Sequence, residues 1–111
     1  MQRSPSLMSG VPELLVLRLL AAREMYGYEL ARVIRLATSE AIALGEGVLY
    51  PALHTLEQRG YLKTSRRAVE GRTRIYYALT AQGRRRYAQL AEDWRRIATG
   101  VESILSGAHD G

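Results

Sequence analysis

The run Gly45-Glu46-Gly47-Val48-Leu49-Tyr50-Pro51-Ala52-Leu53-His54-Thr55-Leu56-Glu57-Gln58-Arg59-Gly60 decides how this chain is read. At about 100° per residue, Leu49, Leu53 and Leu56 fall on one narrow stripe, the side of a helix that faces a core. Gly47, Tyr50, Pro51, His54, Thr55 and Gln58 fall opposite. Gly45-Glu46-Gly47 opens this helix, and Gly60 suits the left-handed residue that closes it. Pro51 requires the helix to begin just before it, because a proline deeper inside forgoes a backbone bond and clashes with the preceding turn. The polar face holds groups that bond base edges (Gln58, Thr55, His54) and a ring, Tyr50, that reaches a phosphate or stacks. The plain alternative is a solvated helix face.

The downstream sequence favours the first reading. Two alternating runs, Tyr61 to Ala68 and Arg72 to Leu79, flank Val69-Glu70-Gly71, whose acidic residue and glycine suit a hairpin turn. In the second run Ile75, Tyr77 and Leu79 share one face and Arg74 and Tyr76 the other. From Arg59 to Arg74 the chain carries Arg59, Lys63, Arg66, Arg67, Arg72 and Arg74 against the single acid Glu70. A basic hairpin beside an exposed polar helix is the pattern of a wing gripping phosphates, here with Lys63, Arg66, Arg72 and Arg74.

Thr80 is placed to cap a last helix that reaches about Leu105 and extends about 38 Å. On it Tyr87, Leu90, Ala91, Trp94, Ala98, Val101 and Leu105 lie within about 80° of arc, and Ile97 and Ile104 widen the stripe. One small domain cannot cover so long a stripe, so a second copy of the helix is expected to. Upstream, a polar start closed by Gly10 and Pro12 precedes Glu13 to Arg23, apolar on almost every face apart from Arg18. Leu14 and Leu17 on this helix are expected to join the seam with Tyr87, Leu90, Trp94, Ile97, Val101 and Leu105. After a break at Tyr26-Gly27-Tyr28, Glu29 to Ala37 is a short amphipathic helix with Leu30, Val33, Ile34 and Ala37 inward. Thr38 to Gly45 connects it to the decisive run. The order helix, helix, helix, hairpin, long helix is that of a winged helix-turn-helix, mostly α with a small β-hairpin. Residues 1–79 form the DNA-binding domain on this reading, and 80–111 the dimerisation helix and tail.

Composition narrows the classes. The chain has 111 residues and a formal net charge of +5, with Lys+Arg 16 against Asp+Glu 11, a balance that suits a polyanionic partner. Zero cysteines exclude disulfides, thiolate metal sites and cysteine nucleophiles, and fit a reducing cytoplasm. Only two histidines are present, so no His-rich metal site is expected, and His54 lacks the partner and pocket of a general base. No phosphate loop follows a strand. The expectations are therefore no enzyme, no catalytic residue, no metal and no cofactor. The longest apolar stretch, around Leu14 to Ala22, is interrupted by Arg18 and is far below the ~20 residues that span a bilayer. The first residues lack a secretory pattern, so a cytoplasmic, membrane-free protein is expected.

Several segments together resemble the PadR family of bacterial transcriptional regulators. They are Tyr26-Gly27-Tyr28-Glu29-Leu30, Gly45 to Leu53 with its Leu49-Tyr50-Pro51, Leu56-Glu57 with Gly60, Gly71-Arg72 with Tyr76-Tyr77, Leu79-Thr80 with Gly83, and Trp94. The resemblance implies a homodimeric winged-helix repressor whose C-terminal helix dimerises, and the single such helix looks like the family's short branch. Val48 stands where the family usually has Ser or Thr, which exchanges a hydroxyl contact for a methyl contact to thymine. Thr73 and Ile75 replace the usual proline and lysine, which implies a looser, less cationic wing.

The expected function is sequence-specific binding of double-stranded DNA at an inverted repeat, with repression released by a small molecule. A planar aromatic effector would sit between Trp94, Leu90, Ala91, Ile97 and Ala98 of paired helices. The alternative is a winged-helix protein-interaction module that meets an acidic protein surface and does not bind DNA.

Overall fold

The computed structural model describes residues 7–110. Its elements run α1 (Leu7–Ala22), β1 (Met25–Tyr26), α2 (Gly27–Ala37), α3 (Glu46–Gln58), β2 (Leu62–Val69), β3 (Arg72–Leu79), α4 (Ala81–Leu105) and a short 3-10 turn, Ala108–Asp110. The strands form one antiparallel sheet in the order β1-β3-β2. The fold is mostly helical with a small sheet, and its arrangement is that of a winged helix. β1 is an element the sequence reading passed over: Tyr26 lies at a helix break, but Met25 and Tyr26 pair with Tyr77 and Tyr76 before the chain turns.

The core is built from one side of each of the first three helices and the base of the sheet. Val16, Leu17 and Leu20 of α1 meet Leu30 of α2, Leu49, Leu53 and Leu56 of α3, and Met25, Leu62 and Leu79 of the strands. Each such side chain removed from water stabilises the fold by about 1.5–3 kcal/mol before entropy is counted. The first helix differs from expectation in two ways. It begins at Leu7 and carries Gly10 and Pro12 inside it. The proline forgoes one backbone bond near the helix start, and the packed side of α1 holds the turn in place. Leu17, expected at a dimer seam, is 0% exposed in the chain's own core and so offers no area to a partner. Leu14 is half-buried.

Local chemistry fixes the angles between elements. The Glu29 carboxylate accepts from the Tyr26 backbone N–H at 3.3 Å, closing the start of α2. Thr38 Oγ1 donates to the Ile34 carbonyl at 2.8 Å and accepts from the Ile42 N–H at 3.0 Å, stapling the connector that leads into α3. At the other end of the domain the Thr80 hydroxyl accepts from the Gly83 N–H at 3.0 Å and donates to the Gly60 carbonyl at 2.7 Å. That one side chain caps α4 and ties it to the end of α3. A Cβ at Gly83 would lie 2.1 Å from the Tyr61 carbonyl oxygen, so only glycine lets α4 dock this closely. α4 stays against the core as far as Ala91 and runs clear of it beyond. The molecule measures 62 × 31 × 24 Å as a result.

Candidate nucleic-acid interface

Three leucines hold α3 to the core, Leu49 and Leu56 at 2% and Leu53 at 0% exposure. Their burial turns the opposite face outward. Gly47, Val48, Tyr50, Pro51, His54, Thr55 and Gln58 are all exposed, so the polar face read from the sequence is continuous and open. The helix opens where Gly45-Glu46-Gly47 was expected to open it, with Glu46 first and Gly45 as its cap; the condition on Pro51 needs correction, since the proline lies inside the helix and not at its first position. The missing N–H costs the bond to the Gly47 carbonyl, which lies on the solvent side and can turn to water. Gly60, with φ +83°, closes the helix as expected.

Tyr50 has a second role that the sequence reading missed. A Cβ on Gly27 would lie 2.5 Å from the Tyr50 hydroxyl oxygen, so the phenol rests directly on the first turn of α2. Tyr50 is thus half a surface group and half a bracket between α2 and α3. The available signal was Gly27 between two tyrosines at a helix start, a place where close approach favours glycine. Nearby, burial pushes the Tyr77 phenol above the usual tyrosine range, and the Glu57 charge adds to the shift. Thr64 Oγ1 donates to Glu57 at 3.2 Å and links β2 to α3.

The hairpin turns on Glu70 and Gly71, both with positive φ (50° and 80°), between the paired residues Val69 and Arg72. This is the two-residue turn whose twist matches the strands it joins. Beyond its base the hairpin stands clear of the core, so Ile75, expected on a half-buried face, is 41% exposed. Side-chain alternation divides the wing's cations. Arg66 shares the sheet face of Leu62 and Thr64, the side on which α3 packs. Lys63, Arg67, Arg72 and Arg74 share the other, with Tyr26 and Tyr76. Contacts confirm that face: the Arg67 guanidinium lies 4.4 Å over the Tyr76 ring and Arg74 lies 4.4 Å over Tyr26. Arg67 also bonds both oxygens of Glu24, so its charge is already matched. Of the expected wing contacts, Lys63, Arg66 and Arg72 are exposed and Arg74 is half-buried against Tyr26.

The basic triplet in α4 is divided in the same way. Arg86 pairs with Glu13 of α1 at 3.3 Å and lies 5.8 Å over the Tyr61 ring, while Arg84 and Arg85 are exposed. Along the rest of α4, Tyr87 and Leu90 pack against the core and Ala91 is buried. Trp94 (37%), Ile97 (41%), Val101 (45%) and Leu105 (74%) are increasingly exposed. The expected effector residues therefore divide. Ala91 and Leu90 turn to the chain's own core, Trp94 and Ile97 turn to solvent, and Ala98 is half-buried. Among the described residues no group of three or more His, Asp or Glu is placed to hold a metal, and no helix is long and apolar enough to cross a membrane.

The family described as "Transcriptional regulator PadR-like family" matches residues 16–89. The protein "Transcriptional regulator Rv3488" of Mycobacterium tuberculosis is 43% identical over 61 residues, 55% of this chain and 54% of that protein. A transcriptional regulator from Clostridium thermocellum superposes with a TM-score of 0.78 at 32% identity, covering 90% of this chain and 97% of that one. A PadR family transcription regulator from hypervirulent Clostridium difficile R20291 gives 0.74 at 28% identity, over 86% and 99%.

Proposed function

The chain belongs to the PadR-like family of transcriptional regulators, and on that premise we propose that it is a homodimeric repressor that reads an inverted-repeat operator with α3 and grips flanking phosphates with its wing. The observation that carries this reading is the exposed face of α3, from Gly47 to Gln58, fixed by three buried leucines beside the exposed wing cations Lys63, Arg66 and Arg72. Val48, Tyr50, His54, Thr55 and Gln58 are the side chains offered to base edges and sugar, with Gly47 and Pro51 letting the backbone come close. Lys63, Arg66, Arg72 and Arg74 supply charge to phosphates.

The dimer is the role proposed for residues 80–111, with 1–79 as the DNA-binding unit. Leu90, Trp94, Ile97, Val101 and Ile104 are spaced 4-3-4-3, the repeat of a helix seam, and their exposure rises toward the free end. A second α4 covers such a stripe, and a two-fold pair places the two α3 helices on half-sites about one helical turn apart. If paired α4 helices splay at Trp94, the gap takes a planar aromatic effector. Trp94 is the only tryptophan, so its fluorescence reports that event directly.

Binding of the purified protein to its own promoter fragment across a salt series tests the reading. The expected result is saturable, salt-dependent binding that prefers the inverted repeat. Arg66→Ala and Arg72→Ala should each lower the slope of log affinity against log salt by about one. Absence of salt-dependent binding to any genomic fragment rejects DNA recognition in favour of a protein partner.

A further inference from the structure

β1 covers the edge of β3 only at Tyr77 and Tyr76, because the chain turns into α2 immediately after Tyr26. The remainder of that edge, toward the wing tip, faces the first turn of α2 across an open cleft of about 440 Å³ lined by Tyr26, Tyr28, Arg72, Thr73 and Arg74. Tyr28 is 68% exposed, and its ring stacks on Tyr26 at 6.5 Å and 20°. Arg67 and Arg86 have carboxylate partners, whereas among the described residues neither Arg72 nor Arg74 forms an ion pair.

The cleft thus presents a flat aromatic platform beside two guanidiniums that lack a carboxylate partner among the described residues, that of Arg74 resting 4.4 Å over the Tyr26 ring. A platform asks for a planar π-system, and two guanidiniums ask for a doubly charged, multidentate anion. We infer that this cleft binds a nucleoside monophosphate, with the base on Tyr28 and the phosphate between Arg72 and Arg74. Duplex DNA keeps its bases stacked within the helix, so its backbone leaves the Tyr28 face unused. An aromatic monocarboxylate carries one charge and leaves one guanidinium unmatched. Because Arg72 and Arg74 also belong to the proposed DNA-gripping wing, the nucleotide competes with operator phosphates. This second consequence rests on the function proposed above, but the binding site does not.

Calorimetric titration of the full chain with AMP, in the absence of DNA, tests the site. One AMP per chain is expected. Tyr28→Ala and Arg74→Ala should each weaken it by about tenfold, while Tyr28→Phe, which keeps the ring face, retains it. Tyr28 is exposed, so circular dichroism should show an intact fold in both tyrosine variants. Failure of AMP to saturate, an unchanged affinity in Tyr28→Ala, or 2-naphthoate binding as tightly as AMP each overturns the inference. A second titration with operator fragment present should show AMP weakening DNA binding in the wild type and not in Tyr28→Ala. AMP binding with DNA affinity unmoved upholds the site and rejects the competition; no DNA binding at all rejects the earlier reading and leaves the AMP result standing.

Discussion

The first and last helices are both rich in apolar residues, yet they end in opposite situations. α1 is apolar on almost every face, and the domain absorbs it: Val16 and Leu17 are fully buried and Leu20 nearly so. α4 has a sharper division between apolar and polar sides, but it docks only as far as Ala91. From Trp94 onward its apolar side faces solvent. The contrast separates total apolarity, which the chain's own interior absorbs, from a narrow stripe longer than the domain, which the chain leaves uncovered and for which a second copy is the cover proposed above.

The largest expected effect breaks this contrast on the α1 side. Leu17→Ala should cost about 2–5 kcal/mol of folding stability, read as a fall in the urea midpoint, because it opens a cavity in a closed core. Ile104→Ala, at a site 64% exposed, should leave the unfolding of the separated single chain nearly unchanged. Next, Val101→Glu should separate the dimer while keeping the winged-helix fold, seen as a halved mass in sedimentation with unaltered circular dichroism. Leu90→Glu is a less clean test, since Leu90 packs against the core and would damage folding as well. A Val101→Glu protein that stays dimeric would place the seam elsewhere.

Smaller effects sharpen the boundary between the two regions. Thr80→Ala removes the cap of α4 and its bond to the Gly60 carbonyl, and should cost about 1 kcal/mol or slightly more in thermal or denaturant unfolding. Tyr77 gives the smallest signal. Its phenol titrates above 10.0 in the fold, so the neutral form is favoured there; its contribution is complete below the unfolded value and is lost as pH rises through the folded one. Stability measured from pH 9 upward should therefore fall less steeply in Tyr77→Phe than in the wild type.

Most of this architecture was legible because its signals are periodic. The stripe Leu49, Leu53, Leu56, the alternation from Arg72 to Leu79 and the cap at Thr80 each rest on local spacing, and each appears where the spacing puts it. The misses are tertiary. A two-residue strand such as Met25–Tyr26 has no period to detect and exists only because β3 offers an edge. Pro12 and Pro51 sit inside helices because packing of the buried sides outweighs one lost backbone bond in each. Leu17 and Leu14 read alike in sequence, and only the tertiary packing of α1 decides which is enclosed. Nor does charge counting reveal that Arg67 and Arg86 are matched by Glu24 and Glu13, residues far away along the chain.

The junction at Gly83 also has a mechanical meaning. With the Tyr61 carbonyl pressed against it and Thr80 bonded to the Gly60 carbonyl, α4 meets the reading head without slack. A rod fixed at one end magnifies angle into displacement. Over the roughly 33 Å from Gly83 to Leu105, a tilt of about 5° moves the free end by about 3 Å. Run in reverse, and on the dimer proposed above, a shift of that size between paired rods would rotate each winged-helix unit against its twin. In the proposed dimer, the close approach at Gly83 is the point through which a change in the seam would reach the spacing of the two winged-helix units.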